Sequence, residues 1–528
     1  MQPPARPPLR GGRPRALAAA AALVALTPIS ACAVANSDDT GTTGGGEGTL
    51  RIVLAQEPPT LDPCDASLTA TGAVVRSNIS EPLIERDPTS GELEPLLATE
   101  WHRTDPTTWR LDLRSGVTFH DGQPFTAEDA AFSIDRAVHS DVACNVDGYV
   151  FGGTELDVQT DGAAALTVTT AEPDPVLPLR LSFIEVVPRT TSTDAKVRTP
   201  VGTGPYAIDK WETGVSIALR RNDSYWGDAP AYPRARYVWR SEPSVRAAMI
   251  DNGEAELSAA LNPEDATEDN SVAYPNNETT ALRLDGTQPP LDDIRVRKAI
   301  GMVIDQGAIA DVLFAGLADP AAQLVPDGVV GHNADLRAAP PDFTAARALV
   351  ADAADDGVPT GKRISLIARN GQFPRVSETA EALQYQMARL GLNVRIQMTD
   401  SAAHLEYQLR PFPKGAGPVA LLIMHGNQTG DGAFTTSQYL LSDGPQSTFG
   451  TAALDERIAA AGALSGDRRQ DAFAAVFAAQ NDDVAQYVHL AHMRGLLGRS
   501  ADVRYEPNSA TGDELRLADV RPAHRKGS

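Results

Sequence analysis

Between Ile364 and Met424 the hydrophobic period of the chain keeps switching, and this alternation restricts the fold more than any other feature of the sequence. Ile364–Ala368 is an apolar run of strand length. Glu378–Leu390 reads as a helix and is closed by Gly391, which accepts the left-handed backbone of a helix end. Val394, Ile396 and Met398 alternate with polar residues, as on a half-buried strand. His404–Leu409 reads as helical. Val419–Met424 (VALLIM) is continuously apolar, as expected of a strand buried on both faces. Strand, helix, strand, helix, strand in that order requires right-handed crossovers and a mainly parallel sheet. The fold class is therefore α/β.

The rest of the body carries similar signals. Thr49–Gln56 reads as a first buried strand, and the three prolines in Glu57–Pro63 forbid a helix after it. Trp109–Arg114 alternates apolar and polar. Gly116 interrupts this strand, Val117–Phe119 resumes it and Asp121-Gly122 turns it. Thr126 followed by Glu128 and Asp129 marks a helix start. Ser216–Leu219 reads as a strand and Ser244–Asn252 as a helix. After the Pro289-Pro290 boundary, Asp292–Val303 and Asp305–Ala315 read as successive helices. Leu454–Ala463 and Arg468–Asp483 are Ala-rich helices. No internal repeat is visible.

Size and charge exclude several classes. At 528 residues the chain is long enough for two to four domains and a large core. It carries 46 Lys and Arg against 69 Asp and Glu, a net charge of −23. That balance argues against nucleic acid, whose phosphates need clustered cations. Past residue 35 no run approaches the length of a membrane-spanning helix.

The N-terminus reads as an address. Arg6, Arg10, Arg13 and Arg15 precede an apolar run, Ala16–Leu26, in the order of a secretory signal. Ile29-Ser30-Ala31-Cys32 resembles the bacterial lipobox, in which cleavage precedes the Cys and that Cys is acylated. The expectation is a signal peptide over 1–31, lipidation at Cys32 and a flexible, Gly-rich tether over 32–48. An ordinary signal peptide with an incidental Cys is the alternative. Removing four Arg and no acid leaves 42 basic side chains against 69 acidic, a net −27. Export would place Cys64 and Cys144 in an oxidising compartment, where one disulfide is expected and two unpaired thiols are the alternative.

The order of segments resembles the large extracytoplasmic solute-binding proteins of ABC importers, in the oligopeptide, dipeptide and nickel-binding branch known as family 5. The block Pro95–Arg136 carries the resemblance most strongly, and its core Leu113–Gly122 (LRSGVTFHDG) is the family's signature. Val201–Tyr206 (VGTGPY), Arg221–Gly227 (RNDSYWG) and Pro290–Ile300 (PLDDIRVRKAI) follow in the family's order. The resemblance covers nearly all of residues 49–520. It implies a two-lobed, type II periplasmic-binding-protein-like fold with an extra subdomain in lobe I. Lobe I would comprise 49–285, with the inserted subdomain near 79–200, and the return segment 488–528. Lobe II would comprise 286–487. The lobes would close like a hinge over a solute, and the closed form would be read by the membrane permease. Gly116, Phe119, His120, Asp121, Gly122, Gly202, Gly204 and Trp226 read as structural residues that identify the fold rather than the ligand.

The resemblance also implies where ligand contacts lie. One segment follows the first strand, with Glu57 and Thr60 as candidates. The other follows VALLIM, with His425, Asn427, Gln428 and Asp431. Peptide-binding members usually carry a Trp there, followed by an Asp that pairs with the peptide's α-ammonium. Here Met424 or His425 stands at the Trp position and Asn427 at the Asp position, while Asp431 is the nearest acid. Asn427 and Gln428 would then hydrogen-bond a largely uncharged solute.

The expected function is capture of a peptide or peptide-like solute for delivery to ABC permease and ATPase subunits. The protein would be a monomer, lipid-anchored to the outer face of the cell membrane, without a cofactor or resident metal. A sugar-like metabolite or a metal chelate is the alternative cargo. His489 and His492, at helical spacing, are the candidate metal pair. A secreted hydrolase is the competing class. No Gly-x-Ser-x-Gly, Ser-x-x-Lys or His-Glu-x-x-His pattern supports it. A receptor that presents its ligand to a sensor would use the same closure.

Overall fold

The computed structural model describes residues 48–66, 71–510 and 514–523. The expected signal peptide, Cys32 and the tether as far as residue 47 lie outside them. Among the described residues no helix is long and apolar enough to cross a membrane.

The centre is an 11-stranded mixed sheet. Its order from one edge is Val394–Thr399, Ile364–Arg369, Val419–Gly426, Ser271–Leu284, Tyr487–Arg499, Leu257–Ser258, Thr49–Leu54, Arg234–Trp239, Ser216–Arg221 and Tyr206–Glu212. Ala318–Pro320 pairs beside Tyr487–Arg499. The alternation read from the sequence forms a parallel triad, since Ile364–Arg369 pairs in parallel with both Val394–Thr399 and Val419–Gly426. Beyond it the expectation of a mainly parallel sheet holds only for Thr49–Leu54, which is parallel to both Arg234–Trp239 and Leu257–Ser258, while the other pairings are antiparallel. Ser271–Leu284 runs antiparallel to Val419–Gly426 and to Tyr487–Arg499. Antiparallel pairing needs no helical crossover, so the α/β alternation could not announce it.

VALLIM is buried on both faces. Val419, Leu421 and Ile423 enter one apolar cluster with Phe473, Val476 and Phe477. Ala420 and Leu422 enter another with Ile300, Leu366 and Leu383. Successive side chains of a strand point to opposite faces, so one run serves two cores. Helices Ile294–Val303, Phe343–Asp355 and Val376–Ala388 cover one face. Ala452–Gly462 and Gly466–Ala479 cover the other. Asp305–Ala315 is less regular than expected, with one helical turn at Gln306–Ala308 and a wide turn at Ile309–Leu313.

A third core surrounds Leu50, Ile52, Tyr206, Tyr237 and Leu517, and so uses both ends of the chain. A fourth, from Leu83 to Val186, belongs to a separate four-stranded antiparallel sheet and the helix Ala127–His139. Asp129 starts that helix by accepting from the Thr126 N–H (3.0 Å) and hydroxyl (2.7 Å). Val117–Phe119 does not resume the preceding strand and leaves only a bridge from Thr118 to Pro124. Cys64 and Cys144 are joined in a disulfide with Cα atoms 4.9 Å apart. Beside it Arg136 grips Asp62 through two buried bonds of 3.0 and 2.8 Å.

The segments that carried the resemblance clasp one another. The His120 N–H donates to Gly202 O (2.9 Å), and its ring Nε2 lies 3.0 Å from Gly204 O. A Cβ on Gly204 would come within 2.6 Å of Asn78 O, so the close approach needs glycine. Thr203, Tyr225 and Trp226 all donate to the buried Glu81 carboxylate, at 2.7, 2.7 and 3.0 Å. Burial still holds the Glu81 carboxyl above its usual range, against those three bonds. These residues tie the inserted sheet to the main one.

Candidate solute-binding cleft

Two strands pass from the core around Leu50 to the cores around VALLIM. Ser271–Leu284 begins with Tyr274 against the former and ends with Ala281, Leu282 and Leu284 in the latter. Tyr487–Arg499 runs back the other way beside it. Their register shifts between Pro275 and Thr279. Pro275 has no N–H for the ladder, and Asn277 adopts a left-handed backbone (φ 58°) that Asn tolerates. The resulting bulge brings Asn276 and Glu278 to the lining of one cavity.

That cavity measures about 310 Å³. Leu261, Pro263, Tyr274 and Leu496 line it from one side. Phe314, Gln372, Phe373, Met424 and Met493 line it from the other. The surface is mainly apolar with a few polar groups, the usual character of a small-molecule site. Among the described residues Glu278 is the one carboxylate lining it. Asn276 Nδ2 donates to Glu278 (2.6 Å), and burial nonetheless pushes the Glu278 carboxyl above its usual range. Arg494 also lines the cavity, but its guanidinium grips Asp319 at 2.9–3.0 Å.

Two further contacts join distant parts of the chain, the first of them beside this cavity. Arg375 lies 3.6 Å from Glu264, each next to a lining proline. Arg86 donates to the Gln428 carbonyl.

The six residues proposed from the sequence occupy other places. Glu57 accepts from Trp211 Nε1 (2.8 Å) and the Gly214 N–H (2.9 Å), pinning the Tyr206–Arg221 hairpin. Thr60 accepts from the Asp62 N–H at 3.0 Å. His425 and Thr435 both meet Asn427 Oδ1, at 3.0 and 2.8 Å. Asn427 Nδ2 donates to Asn277 O (3.2 Å) and Leu324 O (3.0 Å). Asn427 is 1% exposed, so its amide is engaged inside the protein. Burial holds the His425 imidazole down to about 3, with the Asn427 bond opposing it, so it is neutral. Asp431 caps the helix Gly432–Tyr439 through the Ala433 N–H (2.8 Å) and takes two bonds of 2.7 Å from buried Arg469. None of the six lines the cavity, whereas their neighbour Met424 does. The His425–Asn427–Asn277 contacts fix the end of VALLIM against the bulge that carries Glu278.

His489 and His492 lie on a strand, so helical spacing does not apply to them. The register sets them opposite Ala281 and Thr279. Burial lowers them to about 3 and about 4, and each also feels a neighbouring histidine. Among the described residues no group of three or more His, Cys, Asp or Glu side chains converges as a metal cradle.

Sequence reasoning missed Asn276, Glu278, Gln372 and Phe373. The cluster Tyr274-Pro275-Asn276-Asn277 was the available signal, since Pro followed by Asn-Asn marks an interruption, and a strand interruption often re-aims a side chain.

Comparison with known proteins covers most of the chain. The model of bacterial extracellular solute-binding proteins, family 5 (Middle), matches residues 92–445. The glutathione-binding protein GsiB of Escherichia coli is 27% identical over 371 residues, covering 66% of this chain and 69% of the relative. The crystal structure of the ABC transporter substrate-binding protein CtaP from Listeria monocytogenes superposes with a TM-score of 0.79 at 21% identity, covering 90% of this chain and 99% of that one. DppA from Helicobacter pylori, solved in complex with the peptide STSA, gives 0.72 at 19% identity, covering 90% and 98%.

Proposed function

Because the chain belongs to the bacterial extracellular solute-binding proteins of family 5, we propose that its cleft captures a peptide or peptide-like solute and presents it to an ABC permease. Members of this family are extracytoplasmic binders of small solutes that work with permease and ATPase subunits, and they are not enzymes. The observation that carries the finer reading is the cavity of about 310 Å³ lined from both sides of the crossing strands. Such a site binds best when both sides are in place, so the solute stabilises the closed form through its differential affinity. We take residues 49–285 and 488–528 as lobe I and 286–487 as lobe II, with the hinge in the strands Ser271–Leu284 and Tyr487–Arg499. Arg86 and Gln428 then act in closure, while Glu57, Thr60, His425, Asn427 and Asp431 shape the strand ends around the site. Lipidation at Cys32 would hold the protein at the membrane.

The test is native mass spectrometry of the full chain purified from its own source, beside the variant Met424→Trp, which fills the cavity. A retained small solute in the parent, absent from the variant, is expected. A solute retained equally by both would place binding elsewhere and overturn the reading. Loss of membrane association in Cys32→Ala checks the anchor separately.

A further inference from the structure

We infer that Met424 is an oxidation site through which peroxides switch capture off: its thioether takes up an oxygen while the cleft holds no solute, the sulfoxide spoils the apolar wall, and a captured solute shields it. This goes beyond the proposed solute-capture reading and rests on it.

Met424 is the one residue of VALLIM that is only half-buried, and it lines the cavity. A volume of about 310 Å³ far exceeds the roughly 30 Å³ that a water molecule takes up in the liquid, so a molecule as small as hydrogen peroxide enters it. The family's place outside the cytoplasm puts the group beyond the cytosolic reductants. The other described methionines stand apart. Met249, Met302, Met387 and Met398 do not line the cavity. Met493 does, but it is 9% exposed and its Sδ faces the Thr280 hydroxyl at 3.9 Å.

The step is a two-electron oxidation of sulfur. The sulfur bonds to one peroxide oxygen, the O–O bond breaks, and the other oxygen leaves as water. A dithiol reverses it: the sulfoxide oxygen leaves as water and the two thiols become a disulfide. The product suits this wall badly. The aromatic pair Phe314 and Phe373 offers the new oxygen no donor. Asn276 already donates to Glu278, Gln372 to Leu422 O and Arg494 to Asp319. Thr280 stands opposite Met424 in the register, and its hydroxyl donates to Ala491 O at 3.2 Å. A solute that displaces water from the sulfoxide therefore leaves a strong acceptor without a partner. The strand end does not shift to carry the group away, because the adjacent His425 is buried with its ring bonded to Asn427 and Thr435 at 3.0 and 2.8 Å.

The experiment treats the full chain with dilute hydrogen peroxide, alone and in the presence of an equimolar pool of dipeptides of apolar residues. Peptide mapping by mass spectrometry reads sulfoxide at each methionine. Titration calorimetry, after the peroxide is removed, reads affinity for the pool, each protein being compared with itself before and after treatment. Sulfoxide is expected at Met424 without the pool and is suppressed by it, whereas Met249 and Met398 oxidise equally either way. Affinity should fall about 10- to 100-fold on oxidation of the parent and stay constant through the same treatment in Met424→Leu, which cannot form a sulfoxide. Unchanged affinity in parent protein oxidised at Met424, a Met424 that stays reduced while Met249 and Met398 oxidise, or an equal loss in Met424→Leu would overturn the inference and leave capture in the cleft standing. No binding of the pool by untreated protein, or binding that leaves Met424 oxidation unsuppressed, would overturn the cleft reading and the inference with it.

Discussion

Single residues explain why several conspicuous acids are not the site. Asp431, the nearest acid to the expected anchor position, is a helix cap and the partner of buried Arg469. Asp431→Ala should therefore lower unfolding free energy by about 3–5 kcal/mol in solute-free protein, because it strands a buried guanidinium. Urea unfolding measures this, and an unchanged midpoint would contradict the assignment. Glu185 behaves oppositely. Burial pushes its carboxyl up to about 8, with Arg76 opposing and Glu514 and Glu81 adding to the shift. A group raised in the folded state contributes stability that is complete below the ordinary carboxylate range and is lost as the pH rises through about 8. Glu185→Gln cannot ionise, so its stability relative to the parent should improve between about pH 5 and about pH 8 and level off above that. Thermal melts across that range would show a constant difference if Glu185 were already charged. Neither role was legible from sequence, because burial and partnership of an acid depend on residues far along the chain.

Elements were legible where one period ran uninterrupted. VALLIM was readable as a doubly buried strand, and the triad around it followed. Leu421→Ala should accordingly cost about 2–5 kcal/mol, since fully buried Leu421 packs in a formed core. Denaturant unfolding with an unchanged slope would identify this as lost packing. The two strands that matter most for the cleft were not readable. Ser271–Leu284 is broken by Pro275 and the left-handed Asn277, and Tyr487–Arg499 carries a register shift opposite Thr280 and Ala281. Each interruption destroys the alternation by which a strand is recognised. The bulge that hid the first strand is also what presents Glu278. The disulfide acts at the same scale. Cys64 and Cys144 are 80 residues apart in sequence, so the Cys64→Ser/Cys144→Ser variant should lose about 2–5 kcal/mol. Calorimetric melting of the two forms checks it.

Across the whole molecule, the family's segments fixed the architecture while the cavity wall came from residues scattered between 260 and 496. No short window of sequence holds both sides of such a wall, which is why only Met424 among its residues was picked out. In the closure proposed above, the bond from Arg86 to the Gln428 carbonyl is one of the polar bridges. Arg86→Ala should speed solute release about 5- to 30-fold, the loss of a bond contributing about 1–2 kcal/mol. Stopped-flow dissociation measures this, and an unchanged rate would remove the contact from closure. The crossing strands carry one more consequence, in the order of synthesis. Tyr487–Arg499 lies between Ser271–Leu284 and Leu257–Ser258, so it is the seam that joins the two parts of the sheet. A ribosome adds about 5–20 residues each second from the N-terminus, and this seam is made long after the strands on either side of it. The chain therefore cannot complete its sheet until Tyr487–Arg499 has been made, a delay well suited to a protein that works outside the cytoplasm.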